Sequence, residues 1–434
     1  MKRVALHNLG CKVNAYETEA MQQLLEEAGY EIVPFEDQAD IYIVNTCTVT
    51  NVADRKSRQM LHRARRQNPH ALVAAVGCYA QAAGEKLAGD EGVDLVIGNN
   101  KKKELVSILK AWEEGRKTET LLDLKQEKEY EELFITRTAG HTRAYVKVQD
   151  GCSQFCSYCI IPYTRGRVRS RRREDVCREV GRLAENGYQE VILTGIHLSS
   201  YGADLEGENL LSLIRAVHEI PGIRRIRLGS LEPGIVTEEF AKALSGMEKI
   251  CPHFHLSLQS GCNDTLKRMN RRYTAEEYEE KCGILREAFA HPALTTDVIA
   301  GFPGETREEF EETLAFLKRI AFFETHIFKY SRRQGTRAAA MENQVPEEVK
   351  AERSRILLEL DRKNTAGYVL AQMGRQVEIL IEETLELDGK VYQTGHTREY
   401  IRAAVLSGRD LTNQIVSARV EKLMGERLFL CKLL

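Results

Sequence analysis

The sequence predicts an α/β protein that ends in an all-β module, and three observations support this. Over residues 1–115, short apolar runs such as "RVALHN" alternate with helical stretches, a pattern typical of a parallel sheet covered on both faces. The alternation resumes over residues 141–372 and provides six more strands, which right-handed crossovers would curl into an open (β/α)6 barrel. From residue 373 to 434, short strands follow one another without helices, which predicts a small β-barrel of a kind that often binds RNA.

The predicted strands correspond to particular apolar runs. In the first domain, four runs each precede a helical stretch or loop: "RVALHNLGC", "ADIYIVNTC", "ALVAAVGC" and "VDLVIGNN". In the central domain the six strands are "AYVKVQDG", "EVILTGIH", "IRRIRLGSLEP", "HFHLSLQSG", "LTTDVIAGFPGE" and "ETHIFKYSRR", and a long charged helix trails them. Residues 116–140 are charged and poor in apolar side chains, so we expect a linker there.

Composition places the chain among soluble globular proteins. Its 434 residues are 43% hydrophobic and 29% charged, and the net charge of −2 excludes neither nucleic acid nor acidic partners. The basic N-terminus lacks the apolar run of a signal peptide, and no apolar run is long enough to span a bilayer. We therefore expect a cytoplasmic protein with no membrane partner. In that compartment, eleven cysteines indicate metal or redox roles rather than disulfides.

Three cysteines stand close together in "CSQFCSYC", directly after the first strand of the predicted barrel. These barrel cysteines are Cys152, Cys156 and Cys159, and functional sites of such barrels lie beyond the carboxyl ends of the strands. Structural zinc takes four ligands, and a four-iron cluster normally takes four thiolates as well. Three thiolates therefore favour a [4Fe–4S] cluster with one open iron. A zinc site is the alternative, and it needs a fourth ligand from elsewhere.

Three further cysteines are too far apart to form a linear motif, yet each ends a predicted strand. These N-terminal cysteines are Cys11, Cys47 and Cys78. The carboxyl ends of parallel strands meet at one edge of a sheet, and helix N-termini at that edge would favour thiolate over thiol. The alternative is three separate buried cysteines, a common fate of this residue type. Their equivalent positions favour a second cluster site.

The spacing C-x₃-C-x₂-C, with the aromatic Tyr158 before its last cysteine, resembles the radical S-adenosylmethionine (SAM) superfamily. Over essentially the whole chain, the sequence resembles the methylthiotransferase family within it, and the six cysteines named above match residue for residue. The motifs that carry this resemblance are "NLGCKVNAYETE", "NTCTVT", "VGCYAQ", "VQDGCSQFCSYCIIPYTRGRVRSR", "LTGIHLSSYG", "LSLQSGCNDTLKRMNRRYT", "DVIAGFPGET" and "YSRRQGT".

The resemblance implies an auxiliary-cluster domain, a radical SAM barrel and a C-terminal RNA-binding module called TRAM. The barrel cysteines would hold the catalytic [4Fe–4S] cluster, whose open iron binds SAM. The N-terminal cysteines would hold an auxiliary [4Fe–4S] cluster. One SAM molecule would supply the methyl group and another the 5′-deoxyadenosyl radical, so that the cofactors carry the difficult chemistry.

Three branches of the family differ in their targets. One branch acts on isopentenyl-adenosine and another on threonylcarbamoyl-adenosine, both at position 37 of tRNA, and the third acts on an aspartate of a ribosomal protein. "GCKVNAYE" and "LTGIHLSSYG" resemble the threonylcarbamoyl-adenosine branch, whereas the ribosomal-protein branch usually reads "GCPKN" at the first cysteine. The expected reaction is therefore methylthiolation of C2 of N6-threonylcarbamoyladenosine, presented from the single-stranded anticodon loop.

Other residues at the carboxyl ends of the barrel strands are expected to contact SAM or substrate. A simple turn is the alternative role for "LTG", local capping for the Glu and Gln, and an exposed solubilising position for the Arg. The expected contacts are Tyr158, Thr194, Gly195, Glu232, Gln259 and Arg333.

An arginine-rich run, "RGRVRSRRR", directly follows the barrel cysteines. Acidic residues appear only after this run, so like charges are packed without local compensation. Contact with phosphates is therefore favoured over a solvated helix start. The arginines expected to bind RNA are Arg165, Arg167, Arg169 and Arg171.

The functional interpretation is a tRNA-modifying radical SAM enzyme that depends on an external electron donor. The sulfur donor is not identified by the sequence. The alternative from another class is a non-catalytic RNA-binding iron–sulfur protein that senses redox state. Reductive cleavage of SAM would exclude the sensor, and dependence of that cleavage on RNA or on protein would separate the enzyme branches.

Overall fold

The computed structural model describes residues 1–138, 142–387, 389–425 and 427–434, and it confirms the predicted fold class. The N-terminal strands are β1 (Arg3–Asn8), β2 (Glu31–Val33), β3 (Ile41–Thr46), β4 (Leu72–Gly77) and β5 (Leu95–Ile97). The helices between and after them are α1 (Lys12–Glu27), α2 (Asn51–Gln67), α3 (Cys78–Ala82), α4 (Gly84–Ala88) and α5 (Leu105–Glu113). All pairs in this sheet are parallel, in the order β2-β1-β3-β4-β5.

The order of this sheet brings the N-terminal cysteines to one edge. Strands β1, β3 and β4 are neighbours, so their carboxyl ends lie side by side. Cys11 is the N-cap of α1, Cys47 directly follows β3, and Cys78 is the first residue of α3. Every residue of β3 and β4 is buried, because helices cover both faces of the sheet. The predicted placement of the three cysteines at equivalent strand ends is confirmed.

The central barrel contains all six predicted strands and one short extra strand. Its strands are β6 (Arg143–Asp150), β7 (Arg169–Ser170), β8 (Glu190–Gly195), β9 (Arg225–Leu228), β10 (His253–His255), β11 (Ala293–Ala300) and β12 (Glu324–Lys329). Its helices are α6 (Ile161–Arg165), α7 (Arg173–Glu185), α8 (Leu210–His218), α9 (Glu238–Ser245), α10 (Asn263–Arg268), α11 (Ala275–Ala288) and α12 (Arg307–Ile320). The sheets β7-β6-β8-β9 and β10-β11-β12 continue into one another through isolated bridges between Ile226 and Ile250 and between Leu231 and Leu256.

The two faces of the barrel differ in polarity. Successive strand residues point to opposite faces, and Val146, Ile226 and Phe254 belong to the main apolar core beneath the helices. The neighbouring positions in these strands therefore line the inside of the barrel. That inner lining is largely polar, and it includes Lys147, Gln149, Arg225, Arg227, His253 and His255.

A long helix and a small β-barrel follow. They are α13 (Glu347–Leu370), β13 (Gln376–Leu387), β14 (Lys390–Thr397), β15 (Arg402–Leu406), β16 (Ile415–Met424) and β17 (Leu428–Leu433). Helix α13 packs beside β12, where Asp361 accepts a hydrogen bond of 2.6 Å from the Thr325 amide. The five strands close into a barrel in the order β13-β14-β15-β17-β16. A small all-β barrel was predicted for this segment, and its architecture is confirmed.

The C-terminal barrel covers the amino ends of the central strands. The Tyr400 ring lies 5.0 Å from the guanidinium of Arg143 and 4.9 Å from that of Arg227, which come from β6 and β9. Arg227 also donates a hydrogen bond of 2.7 Å to the Thr397 carbonyl. The cysteines follow the carboxyl ends of their strands, so this contact closes the opposite end of the central barrel.

The segment expected to be a linker is packed against both neighbouring domains. Residues 116–138 contain no helix or strand, but Leu133 and Ile135 are buried in the main core. The Tyr16 hydroxyl of α1 donates a hydrogen bond of 2.5 Å to the Leu133 carbonyl. The domain boundaries at 115/116 and 372/373 remain predictions, and the boundary at 140/141 lies outside the described residues. Within the described ranges, no helix has the length and apolar character needed to cross a membrane.

Candidate iron–sulfur and SAM site

The barrel cysteines lie on a tight loop between β6 and α6. The loop begins at Gly151, whose φ of +70° is readily adopted only by glycine, and a Cβ there would lie 1.8 Å from the Arg167 carbonyl oxygen. The Cys152 amide donates a hydrogen bond of 3.0 Å to the Gly166 carbonyl, and the Ser157 amide donates one of 2.9 Å to the Met269 carbonyl. The loop is thereby held at both ends before any ligand is bound.

A chain of charged groups reaches the barrel cysteines from the opposite strands. Arg271 Nη1 donates to Cys156 Sγ at 3.2 Å, and its Nη2 lies 3.0 Å from Glu232. Glu232 in turn lies 2.7 Å from the ring of His197. Burial raises the pKa of Cys152 to about 11. A buried thiol of this kind holds its proton until a metal displaces it, so the nearby guanidinium would stabilise the thiolate that results.

The N-terminal cysteines also lie close to one another. A Cβ on Gly10 would lie 3.0 Å from Cys47 Sγ, so the chain before Cys11 passes directly over Cys47. Burial, together with the neighbouring Cys78 and Cys11, raises the pKa of Cys47 to about 11. Asn99 Nδ2 lies 3.6 Å from Cys78 Sγ and donates to it. Three sulfurs from three strand ends therefore converge on one region.

A buried charge cluster joins this region to the central barrel. Arg165 Nε donates to Cys78 Sγ at 3.2 Å, and Nη1 of the same side chain lies 2.8 Å from Glu17 and 3.1 Å from Asp150. Lys102 and Lys147 also pair with Glu17, at 3.2 and 2.7 Å. These two lysines and Arg165 are fully buried, and buried Arg169 lies 4.0 Å from Asp150. Cations therefore outnumber the two carboxylates in this cluster, which leaves it suited to further anionic partners.

The sulfurs are not arranged for a single zinc ion. The described cysteines form no set of three whose sulfurs all lie within 4.8 Å of one another. Tetrahedral zinc, with Zn–S bonds of about 2.3 Å, would need its sulfurs closer than that. This arrangement does not support the zinc alternative for the barrel cysteines, and the arginine donors at Cys78 and Cys156 suit thiolates bound to a cluster.

A cavity of about 250 Å³ lies between the two cysteine groups. Tyr158 and Cys159 line it from the barrel loop, and Val49 and Thr50 line it from the segment just after Cys47. Its other walls come from the carboxyl ends of the barrel strands and include Gln259, Asp297, Ile299, Phe328 and Tyr330. This site cavity has the mixed apolar and polar lining expected for a nucleoside or SAM.

Two families match separate parts of the chain. The family described as "Uncharacterized protein family UPF0004" matches residues 3–98, and the "Radical SAM superfamily" matches residues 146–317. The first match covers the N-terminal sheet with its three cysteines. The second match begins within β6 and covers the barrel cysteines and the complete strands β7 to β11.

Relatives match over nearly the full length. The threonylcarbamoyladenosine tRNA methylthiotransferase MtaB of Bacillus subtilis is 41% identical over 97% of this chain and 94% of its own length. The chain belongs to the methylthiotransferase family. The Aquifex aeolicus protein of the same name is 44% identical over 88% of this chain and 93% of its own length. A tRNA-2-methylthio-N(6)-dimethylallyladenosine synthase of Acetivibrio thermocellus is 36% identical over 96% of this chain and 88% of its own length.

Solved structures support the fold. A radical S-adenosylmethionine methyltransferase, TsrM, from Kitasatospora setae, with cobalamin and a [4Fe–4S] cluster bound, aligns with a TM-score of 0.58 at 18% identity. The alignment covers 76% of this methylthiotransferase and 75% of that chain. At this identity the likeness concerns the fold alone. Family membership confirms that the chain is a radical SAM enzyme whose cofactors include SAM and a [4Fe–4S] cluster.

The residues expected to contact SAM occupy different positions in the methylthiotransferase fold. Tyr158 and Gln259 line the site cavity. Glu232 lies beside the barrel cysteines through Arg271. Thr194 is buried and Gly195 packs against Gln149, and neither lines the cavity. Contact of these residues with SAM remains a prediction.

Arg333 bonds to the N-terminal domain, and its expected contact with SAM remains a prediction. Its Nη1 donates to Asp54 at 2.6 Å and to Asn51 at 2.7 Å, and its Nη2 donates to Thr48 at 2.7 Å. All three partners belong to the N-terminal domain, which reaches across to the end of β12. Arg333 therefore joins the two domains, and the distance between its strand end and α2 could not be read from the sequence.

The arginine-rich run also needs correction, because most of it does not reach solvent. Arg165, Arg169 and Arg171 are at most 1% exposed, which contradicts their expected contact with RNA. Arg165 pairs within the charge cluster, and Arg171 forms an ion pair with Glu179. Only Arg167 among the four expected RNA-binding arginines is exposed, and its guanidinium lies 4.7 Å from the Phe155 ring. The run has no acidic residue within it, but in the fold Glu17, 148 residues away, pairs with Arg165, and Glu179, eight residues on in α7, pairs with Arg171.

Sequence reasoning missed the side chains that support the cysteines. Arg271 and Asn99 each donate to a cysteine sulfur, and Glu17 and Lys102 complete the buried charge cluster. Arg271 and Asn99 lie far along the chain from the cysteines they contact, whereas Glu17 stands in "GCKVNAYETE", six residues after Cys11. Glu17, an acidic residue close to the predicted cluster ligand Cys11, was the only feature of the sequence that could have indicated these supporting side chains.

Proposed function

We propose that this methylthiotransferase modifies tRNA, adding a methylthio group to C2 of N6-threonylcarbamoyladenosine at position 37. The observation that carries this proposal is the site cavity, which residues beside both cysteine groups line together. Sulfur delivery and hydrogen abstraction must meet at one carbon atom, and a shared cavity permits this. Relatives named as threonylcarbamoyladenosine tRNA methylthiotransferases from four organisms support the choice of substrate.

Two [4Fe–4S] clusters and SAM would supply the radical, the sulfur and the methyl group. The barrel cysteines would hold one cluster and the N-terminal cysteines the other, each through three thiolates. Arg271 and Arg165 would stabilise those thiolates by donating to Cys156 and Cys78. Arg333 would keep the two domains at the separation that the cavity requires, because it bridges the end of β12 and the start of α2.

The chain would receive the base from the anticodon loop of tRNA. Exposed Arg167 and the ring of Tyr163, which is 45% exposed, lie on the surface beside the barrel cysteines. Basic and aromatic side chains together suit a single-stranded RNA, because phosphates and base faces are both available. An external reductant would deliver the electron, and the sulfur donor stays unassigned. This work would take place in the cytoplasm, where tRNA is found.

Dimethylallyl-adenosine in tRNA is the second candidate substrate. It is favoured by relatives named as dimethylallyladenosine synthases, which are about as long as this chain and 35–36% identical to it. The ribosomal-protein aspartate and the non-catalytic sensor remain alternatives from the sequence, without further support.

Nucleoside mass spectrometry of tRNA from cells that lack this protein tests the proposal. Loss of the methylthio form of threonylcarbamoyladenosine, with its precursor accumulating, is the expected result. Loss of the methylthio form of the dimethylallyl nucleoside instead would favour the second candidate. In parallel, anaerobic reconstitution should give about eight irons per chain, and about four would refute the two-cluster assignment.

A further inference from the structure

Three neighbouring barrel strands place titratable side chains together below the site cavity. His255 comes from β10, Asp297 from β11 and His326 from β12. One ligand atom from each lies within 4.8 Å of the others. Asp297 also lines the site cavity, so this inner trio forms a polar floor beneath the place where a base would enter.

One nitrogen of the inner trio, His255 Nε2, is left without a hydrogen-bond partner among the described residues. His255 Nδ1 shares a hydrogen bond of 3.0 Å with the Thr295 hydroxyl, which fixes the orientation of the ring. His255 Nε2 lies 3.2 Å from Asp297 Oδ2, yet it is buried without a partner of good hydrogen-bond geometry. The His326 ring stacks on that of His255 with centroids 5.6 Å apart, and the His326 side chain is accessible. A polar ligand that forms hydrogen bonds with these groups is stabilised, whereas an apolar ligand that covers them leaves them desolvated and unpaired, which costs free energy.

Lys12 adds a positive charge to the same space. It is the first residue of α1, next to Cys11, and its side chain is accessible. Within the part of the chain that the structure describes, no carboxylate lies within ion-pair distance of its ammonium group. Its charged neighbours are Arg227 of β9, Arg143 of β6 and Asp297 of β11. The lysine therefore faces the same space as the inner trio.

We infer that His255, Asp297 and His326, together with Lys12, form the subsite for the N6 substituent of the substrate nucleoside. This inference rests on the proposed function and names the groups that would select a threonylcarbamoyl side chain. The urea N–H groups of that side chain would donate to Asp297. Its carboxylate and hydroxyl would be bound by Lys12 and the two imidazoles.

A dimethylallyl substituent would meet the same groups without satisfying them. It is apolar beyond its single N–H, so it would cover polar atoms that water could no longer reach. Sites built to hydrogen-bond a polar substrate reject an analogue that lacks those groups by up to about 10⁴-fold or more. The polar floor therefore favours the threonylcarbamoyl nucleoside over the second candidate substrate.

A divalent metal ion is the competing occupant of the inner trio, since two histidines and a carboxylate are common ligands. The surroundings favour an organic anion instead. Lys12 has no carboxylate partner among the described residues, whereas its neighbour Arg227 is already paired with Glu190 at 2.7 Å. The ammonium group of Lys12 opposes a cation and attracts a carboxylate.

The test compares two tRNA substrates with the reconstituted holoenzyme. One carries threonylcarbamoyladenosine and the other dimethylallyladenosine at position 37. The variants are His326→Phe, which keeps an aromatic ring, and Lys12→Met, which keeps the length of the side chain. The controls are His70→Phe and Lys242→Met, whose side chains are exposed on other surfaces. Each variant must first bind the iron of the wild type and cleave SAM reductively, which reports an intact fold.

The expected result is at least a tenfold fall in the ratio of kcat/KM for the two substrates in both variants, with the controls unchanged. An unchanged ratio in both variants would overturn the subsite. The subsite would also be overturned if the wild type binds one zinc or manganese ion per chain and His326→Phe loses that ion without a change in the ratio of kcat/KM. If the wild-type enzyme modifies only the dimethylallyl substrate, the proposed function itself fails. That outcome is seen with the wild type alone, so it can be told apart from failure of the subsite.

Discussion

Arg165 illustrates why single residues of this site resist prediction from the sequence. In the chain it begins a run of arginines that suggests contact with RNA, but in the fold it is fully buried between two domains. The cysteines could be predicted because their spacing and their strand-end positions are local features. The partners of Arg165 come from α1 and β6, and only the folded chain brings them together.

Replacing Arg165 with alanine is expected to destabilise the protein by about 3–5 kcal/mol, because it leaves Glu17 and Asp150 short of a buried partner. It should also weaken iron binding by the N-terminal cysteines, since Cys78 loses its donor. Thermal unfolding and iron analysis measure the two effects. Arg167→Ala is the matched control, because this arginine is exposed two positions further along. Equal behaviour of the two variants would contradict the assigned role.

Glu19 on α1 should make stability depend on pH. Burial raises the pKa of its carboxyl from 4.5 to about 7, and its Oε2 has no hydrogen-bond partner among the described residues. A raised carboxyl pKa means that the folded state is favoured when the group is protonated. That contribution is fully present below about pH 4.5 and is lost as the pH rises through about 7.

The variant Glu19→Gln should therefore be more stable than the wild type at about pH 8, by at most about 3 kcal/mol. The difference should shrink towards zero near pH 5. Thermal unfolding at the two pH values checks this. A gain of equal size at both would show that the carboxyl is not the cause.

At the scale of elements, the long strands and helices followed from the apolar pattern. All six barrel strands and the long α13 were predicted, because the apolar runs in the sequence extend beyond the strand ends, as for the three-residue β10 within "HFHLSLQSG". The strands β2 and β7, of three and two residues, stand in no comparable apolar run and were missed. Both are held by pairing with a neighbour rather than by their own sequence.

The loop after β6 depends on a glycine whose importance can be isolated. Gly151→Ala should disrupt the loop of the barrel cysteines, because its Cβ would lie 1.8 Å from a backbone oxygen. Gly207 has a similar φ of +72° but nothing within 4 Å of its Cβ position, so Gly207→Ala carries only the backbone strain. We expect the first variant to lose iron from the barrel site and the second to retain it. Iron retained equally in both would show that the loop can move aside.

At the scale of the whole molecule, the two cysteine groups belong to different domains and should be separable. Cys152→Ala should abolish formation of 5′-deoxyadenosine and modification of tRNA. Cys47→Ala should still cleave SAM reductively, because the barrel is untouched, yet should attach no sulfur to the base. Both products are measured in one reaction, with circular dichroism to confirm folding. A folded Cys47→Ala protein that modifies tRNA at the normal rate would contradict a cofactor at the N-terminal cysteines.

The contact of Tyr400 with Arg143 and Arg227 has a consequence for how the protein is made. The chain emerges from the ribosome with its N-terminus first, so all strands of the central barrel have been synthesised before Tyr400 emerges. Until then this end of the barrel stays open, and buried Arg227 and half-buried Arg143 lack their aromatic partner. The segment around Tyr400 thus closes the amino end of the barrel, and a chain that stops before this segment would leave that end open to water.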